Sequence, residues 1–506
     1  MAKRYRLKAA TMLFPVLLSG CAVGPDFKKP ETWTPAQWQH ASLEQTSRAL
    51  SVPVNQAPDP QWWSVFHDPE LVSLEQRLAT QNLDILQATQ QMAVSRGQLL
   101  LAGAERFPDL AATGSYRRQQ YSSKQLESVI KRIGKNAPEG SDALLSSQAA
   151  NASIPLLNQW QDGLQASWEV DLWGRVRRQY EAAKSYLQAT VEQRRGILIA
   201  RQAELAQDYL SLRSTQEQLR ITRRNKEVAV QMLDLSRNRY NSGLVSELDV
   251  ESARSQVEDT SARIPQYEQL AEQQINAINL LMGAPPGALN AELQTPSVIP
   301  SLPPVVPVGV PSEVVRRRPD IRQAEAELHA ATAEVGQAEA DFYPKVTIDA
   351  GFGMQSFSFR DLGMWGARAW NVGPSISIPI FQGGRLVGQL RMKKASQKTA
   401  ALRYRKTVLT AWSEVDNALT KYEAEQKRNM ALKAQVAADQ RSLSLSRDLY
   451  RQGLRTFLPV LDAERRVLSS QTALTTSNET MSENLVRLYN AIGGGWEEIY
   501  PEAKNG

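Results

Sequence analysis

The block Leu235-Ser236-Arg237-x-x-Tyr240-x-x-Gly243-Leu244 returns as Leu445-Ser446-Arg447-x-x-Tyr450-x-x-Gly453-Leu454, 210 positions later. The same offset pairs Gly174-Arg175 with Gly384-Arg385, Glu204 with Glu414, Leu248 with Leu458, Val250 with Val460 and Gly283 with Gly493. So constant an offset marks an internal duplication, and a duplicated chain folds as two copies of one supersecondary unit. Upstream, Asp84-Ile85-x-Gln87-Ala88 matches Asp320-Ile321-x-Gln323-Ala324 and Pro108 matches Pro344, at an offset of 236. The difference, 236 minus 210, places 26 additional residues in the first copy between Pro108 and Gly163. They fall in Tyr121 to Asn158, rich in Ser, Asn, Gly and Ala, which reads as a long exposed loop where insertions cost little. Ala284 to Pro311, with Pro285-Pro286 and Pro303-Pro304, cannot be regular helix throughout and reads as the linker between copies.

Within each copy the hydrophobic period changes in the same order. Leu110, Ala112, Gly114 and Tyr116 alternate with small or polar residues, as do Leu164, Ala166, Trp168, Val170 and Leu172, so strands are expected at about 109–118 and 163–172. The second copy repeats the pattern at about 345–354 and 373–381. Each strand is about 9 residues, enough to cross a bilayer when tilted.

After each second strand the period becomes seven. Val191, Leu198, Leu205, Leu212, Leu219, Leu233 and Tyr240 form one stripe, broken by Lys226; Ala401, Val408, Val415, Tyr422, Val436, Leu443 and Tyr450 form the other, broken by Asn429. The spacing predicts long helices over about 175–240 and 385–450, each on the order of 100 Å at 1.5 Å per residue. A strict seven-residue repeat implies left-handed supercoiling against neighbouring helices. Gly243 and Gly453 follow, able to take positive φ and turn the chain into returning helices from about Glu247 to Met282 and Leu458 to Ile492. Shorter helices are expected before the strands, from about Asp84 to Arg106 and Asp320 to Phe342.

The N-terminus carries a targeting signal. Lys3, Arg4, Arg6 and Lys8 precede an apolar run from Ala9 to Gly20, too short to span a bilayer, and the small residues before Cys21 suit cleavage. Cys21 is the only cysteine, which rules out an internal disulfide and a thiolate-rich metal cluster. Leu18-Ser19-Gly20-Cys21 is similar to a bacterial lipobox, making Cys21 the lipidation site, and Ala22 fits export to the outer membrane. No other cofactor is expected.

Several function classes are disfavoured. The formal net charge of +6 is small for 506 residues and no basic stripe interleaves with aromatics, so nucleic acid is not an expected partner. His40, His67 and His329 lack ligand spacing, no phosphate-binding loop occurs, and Glu204 or Asp249 stands alone without nucleophile, base and orienter, so an enzyme is not expected.

The resulting fold class is mixed α and β, mainly α: two tandem repeats with four transmembrane strands and long coiled-coil-like helices. The expected division is signal peptide 1–20, lipidated segment 21–70, first repeat 71–283, Pro-rich linker 284–311, second repeat 312–495 and tail 496–506. Four strands cannot close a barrel, because single-chain barrels use at least about eight and an open edge is not tolerated in lipid. Closure of two, three or four copies gives 8, 12 or 16 strands, and only the larger counts leave an aqueous lumen. The competing reading is a periplasmic lipoprotein scaffold with a solid coiled coil and no pore; strands of membrane length, repeated twice, favour the duct.

The chain resembles the TolC and NodT group of outer-membrane factors, in the lipoprotein branch typified by OprM. The resemblance rests on Pro311-Ser312-Glu313-Val314-Val315-Arg316-Arg317-Arg318-Pro319-Asp320-Ile321, on Ala324-Glu325 and Phe342-Tyr343-Pro344, on Cys21-Ala22-Val23-Gly24-Pro25-Asp26-Phe27, on Trp62-Trp63, and on Asp171-Leu172-Trp173-Gly174-Arg175. It implies a homotrimer with a 12-stranded barrel in outer-membrane lipid, continued by a hollow periplasmic helical barrel. The implied partners are a periplasmic membrane-fusion adaptor and an inner-membrane pump, usually of the proton-driven resistance-nodulation-division (RND) class. The resemblance also implies a periplasmic tip tied by a tyrosine and an arginine after the second long helix and constricted by acidic rings. By position these are Tyr450, Arg455, the acidic counterpart Asp249 in the first turn, and Asp462 as a constricting carboxylate. Leu248 and Pro459 depart from the pattern, lacking a hydroxyl and a ring carboxylate respectively.

Overall fold

The computed structural model describes residues 22–31, 38, 51–54, 56, 59–120, 156–497 and 499. The signal peptide, Cys21 and most of the loop from Tyr121 lie outside the described residues. The chain divides into two compact units, one of residues 1–27, 97–184 and 330–397, the other of 28–96, 185–329 and 398–506.

In chain order the elements are β1 (Val52–Val54), a 3-10 turn (Trp62–Phe66), α1 (Pro69–Gln81), α2 (Leu83–Ala104), β2 (Asp109–Gln119), β3 (Leu157–Glu169) and α3 (Arg175–Asn241). Then follow α4 (Glu247–Leu281), α5 (Asn290–Leu293), β4 (Val305–Pro307), α6 (Pro311–Arg317), α7 (Pro319–Ala340), β5 (Lys345–Ser356), β6 (Arg368–Ser377), α8 (Arg385–Arg451) and α9 (Leu458–Ile492). Both long helices have 67 residues and both returning helices 35, as a duplication requires.

The first unit contains one antiparallel sheet in the order β2-β3-β5-β6, so the two hairpins join through β3 and β5. Two strands differ from the sequence expectation. β3 covers 157–169 rather than 163–172, because Asp171 instead turns its carboxylate to the first amides of α3, receiving Val176 N–H at 3.1 Å and Arg177 N–H at 2.9 Å. β6 covers 368–377 rather than 373–381, since Pro379 has no N–H to extend the ladder and the strand runs back from Ser377 to Arg368.

The repeated motifs around this sheet acquire physical reasons. Trp173 stacks on Tyr343 with centroids 4.9 Å apart and donates Nε1–H to the Pro344 carbonyl at 2.9 Å. Arg175 grips Glu169 through two hydrogen bonds of 2.7 and 2.8 Å, and Lys345 reaches the same carboxylate at 2.9 Å.

The second unit is built on an apolar core holding Trp62, Trp63, Phe66, Leu205, Tyr209, Tyr422 and Tyr489. The stripe residues Leu198, Leu205, Leu212, Val415 and Tyr422 are buried in it, as the seven-residue period demands. Asn429, the break in the second stripe, is buried too and donates to Ser477 Oγ at 3.1 Å and Asn478 Oδ1 at 2.8 Å. A buried polar break whose amide donors are met in only one alignment fixes the register of α8 against α9. Arg318 of the Arg-Arg-Arg-Pro-Asp motif is a buried node: it pairs with Asp320 and Glu414, each at 2.7 Å, and donates to the Ala491 carbonyl at 2.7 Å. Here also β1 and β4 pair in parallel, Val52 opposite Val305, an element that three-residue segments punctuated by proline do not announce.

Candidate functional site

Cross-strand neighbours share a face of a sheet, so the register of the four strands sorts their side chains. On one face the rows read Leu110, Ala166, Ala350, Val372; then Ala112, Leu164, Phe352, Trp370; then Trp168, Ile348, Pro374; then Val346, Ile376. On the other they read Asp109, Ser167, Asp349, Gly373; then Ala111, Gln165, Gly351, Asn371; then Ser115, Gln161, Gln355. One face is apolar and the other polar, yet among the described residues nothing covers either: Leu110, Leu164, Phe352, Trp370, Val372 and Ile376 are all exposed. Among the described residues β2 and β6 are also unpaired along their outer edges. Tryptophans stand toward both ends of the apolar face of β3. At one end Tyr116 packs on Trp160 (4.3 Å) and Trp160 on Phe359 (4.9 Å), while Trp168 lies eight residues further along the same strand. At about 3.3 Å per residue that separation is roughly 26 Å along the strand, or about 20 Å along the bilayer normal at a tilt of about 40°, most of the height of a lipid-facing band. Asp162 and Arg368, the charged residues on the apolar face between those tryptophans, sit in the row next to the aromatic rim.

The segment following Cys21 is docked against the base of this sheet. Val23 N–H donates to the Trp173 carbonyl at 2.9 Å, and Arg178 holds Asp26 at 2.7 Å. The fit depends on glycines. A Cβ on Gly24, where φ is +93°, would lie 2.3 Å from Gly336 Cα, and one on Gly174 would lie 2.8 Å from Ala22 Cβ.

In the second unit the two repeat turns share one apolar core, formed by Met232, Leu233, Val250, Val257, Leu443, Tyr450, Phe457, Val460 and Val467. Both turns reverse through a glycine in the left-handed region, Gly243 at φ +72° and Gly453 at φ +77°. Tyr450 is fully buried between the copies. Its hydroxyl meets Ser236 Oγ at 3.2 Å, its ring packs edge-on to Phe457 at 5.5 Å, and the Arg239 guanidinium lies 4.8 Å from its centroid while donating to its own carbonyl. Burial, helped by the Asp249 carboxylate, pushes the Tyr450 phenol above its ordinary range, against the Ser236 hydrogen bond and the Arg239 charge, so it stays neutral and able to donate. Next to it Arg447 pairs with Glu464 at 3.1 Å, and burial pushes that carboxyl up.

The residues expected at the tip are thus only partly brought together. Tyr450 reaches the first copy, but through Ser236 and Arg239 at the end of α3. Asp249 acts on it by charge and lies in the first turn of α4, where a carboxylate favours the helix dipole. Arg455 is exposed and pairs with no acidic group among the described residues, and Asp462 is compensated one turn along its own helix by Arg466 at 3.3 Å. Ser236 and Arg239 lie inside the repeated block, and the one signal that sets Arg239 apart is that its counterpart in the second copy is Leu449.

A bilayer-width band on an uncovered, open-edged sheet, followed in each copy by 67 residues of helix, is the geometry of an outer-membrane duct. A sequence model of the family described as outer membrane efflux protein matches residues 74–284 and 310–494. The chain belongs to the outer membrane efflux protein family. The efflux-pump outer membrane protein TtgC of Pseudomonas putida is 30% identical over 483 residues, covering 95% of this chain and 94% of TtgC. Among solved structures, the outer-membrane channel OprN superposes with a TM-score of 0.83 at 30% identity, covering 94% of this chain and all of that one. The open state of the Neisseria gonorrhoeae MtrE outer membrane channel gives 0.78 at 27% identity, covering 94% and 98%. This member of the outer membrane efflux protein family therefore has the family's channel-forming fold and resides in the outer membrane. Among the described residues no helix is long and apolar enough to cross a membrane and no group of His, Cys, Asp or Glu could hold a metal ion.

Proposed function

We propose that three copies of this chain close a 12-stranded barrel and form the passive exit duct of a tripartite efflux system, with the tip opened by a periplasmic adaptor and an inner-membrane pump of the RND class. The carrying observation is the sheet: four strands with an apolar face, a polar face and two free edges satisfy their backbone groups in lipid only by closing with other copies. Three copies place the apolar faces against lipid and the polar rows around water. TtgC is described as an efflux pump outer membrane protein, which supports the partner assignment. The assembly is tested by mass measurement in detergent: three chains per particle, dissociating to one on boiling, support it, and a detergent-stable monomer contradicts it.

Covalent lipid on Cys21 completes the reading. The segment that follows Cys21, Ala22 to Phe27, is docked at the base of the strands, which supports an anchor in the inner leaflet, each buried methylene of an acyl chain contributing about 0.8 kcal/mol. Cys21→Ala should abolish incorporation of labelled palmitate. Label retained by the variant would remove Cys21 as the site.

A further inference from the structure

The repeated block ends in the same tyrosine twice, but the two tyrosines differ in environment. Tyr450 is 0% exposed and Tyr240 is 44% exposed. The serines of the block differ in the same sense, Ser236 being fully buried and Ser446 only half-buried. Within one chain the second copy docks on the first by laying Tyr450 over Ser236. The offset of 210 maps Ser236 to Ser446 and Tyr450 to Tyr240, so the chain presents an unused copy of each half of that contact.

We propose that Tyr240 of one protomer seats against Ser446 and Leu449 of the next, closing the tip through a second and weaker seam. This rests on the duct reading, because only a ring alternating first and second copies brings these faces together. Exposed apolar side chains surround both halves, Leu244 beside Tyr240, and Leu445 with Leu449 beside Ser446. A second copy of this chain is the partner that fits, since the same chain already shows the docked arrangement. The seams are unequal because Arg239 maps to Leu449. The seam inside a protomer combines a hydroxyl contact, a cation over the ring and a charged donor on the tyrosine carbonyl. The seam between protomers has the hydroxyl contact and apolar packing alone. The tip therefore parts between protomers first and within them last.

The test uses the full-length lipoprotein in its membrane. Tyr240→Cys with Ser446→Cys, treated with a short bis-maleimide, should give covalent dimers and trimers on a denaturing gel. Tyr450→Cys with Ser236→Cys should give only cross-linked monomer. Monomer-sized product from the first pair, with the second linking as expected, overturns the seam while leaving the duct intact; absence of trimers from the untreated parent strikes the duct reading instead. In bilayers Leu449→Arg, which supplies the missing cation at three seams, should lower open-state occupancy about tenfold. Unchanged or raised occupancy shows that the seam between protomers does not limit opening.

Discussion

Arginine at Leu164 should keep the protein from assembling in the outer membrane, whereas arginine at the next residue, Gln165, should be tolerated. The two positions are adjacent on β3 and face opposite sides of the sheet, Leu164 in the row with Phe352 and Trp370, Gln165 in the row with Gly351 and Asn371. Leu164 lies midway between Trp160 and Trp168, the tryptophans toward the two ends of the apolar face. A lipid-facing arginine at the bilayer midplane costs about 2–4 kcal/mol per chain, so a trimer bears roughly 6–12 kcal/mol. Gln165 is assigned to the lumen, where water solvates the guanidinium. Immunoblots of outer-membrane fractions should show at least a tenfold loss of heat-sensitive trimer for Leu164→Arg and a change within about twofold for Gln165→Arg. Equal amounts of the two variants would show that the apolar face does not meet lipid.

Loosening the tip should have the second large effect. Arg239→Ala removes a charged donor from the Tyr450 carbonyl and the cation over its ring, and Tyr450→Phe removes the hydroxyl contact with Ser236. A hydrogen bond to a charged group contributes about 1.5–3 kcal/mol, so three symmetry-related copies bias closure by roughly 4.5–9 kcal/mol. Even the lower bound corresponds to about a thousandfold in the open-to-closed ratio. The double variant should therefore conduct without adaptor or pump and sensitise cells to a large antibiotic. Asp249→Ala should do less, because Asp249 acts on Tyr450 through its charge and takes no hydrogen bond from it. Intact trimers with parental conductance would remove this cluster as the latch.

Much of this architecture was legible before any coordinates, for identifiable reasons. Period two in Leu164, Ala166 and Trp168 and period seven from Leu198 to Leu212 are direct consequences of strand and helix geometry; burial follows the seven-residue stripe, while the period-two strand sorts an apolar from a polar face with both left exposed. Gly243 and Gly453 were legible because a reversal after a long helix needs positive φ. The limits of β3 and β6 were not. They depend on whether Asp171 bonds along the ladder or caps α3, and on where Pro379 ends the pairing, which local alternation cannot decide. The β1 and β4 ladder leaves no local pattern, because its partners are distant in sequence and three residues long. At the tip, position pointed to Tyr450, but its true partners are chosen by the packing of α8 on α3. Arg239 differs from its repeat counterpart, and that difference between copies was the available clue.

A duct requires a water-filled path through a ring of these chains. Single-channel recording of the purified full-length protein in a planar bilayer tests it most directly. The closed tip predicts rare, brief openings of the parent protein and long-lived large-conductance steps once Arg239 and Tyr450 are replaced. A silent bilayer with both proteins, while intact trimers are recovered from it, would contradict the duct and return the chain to a scaffold with a solid core.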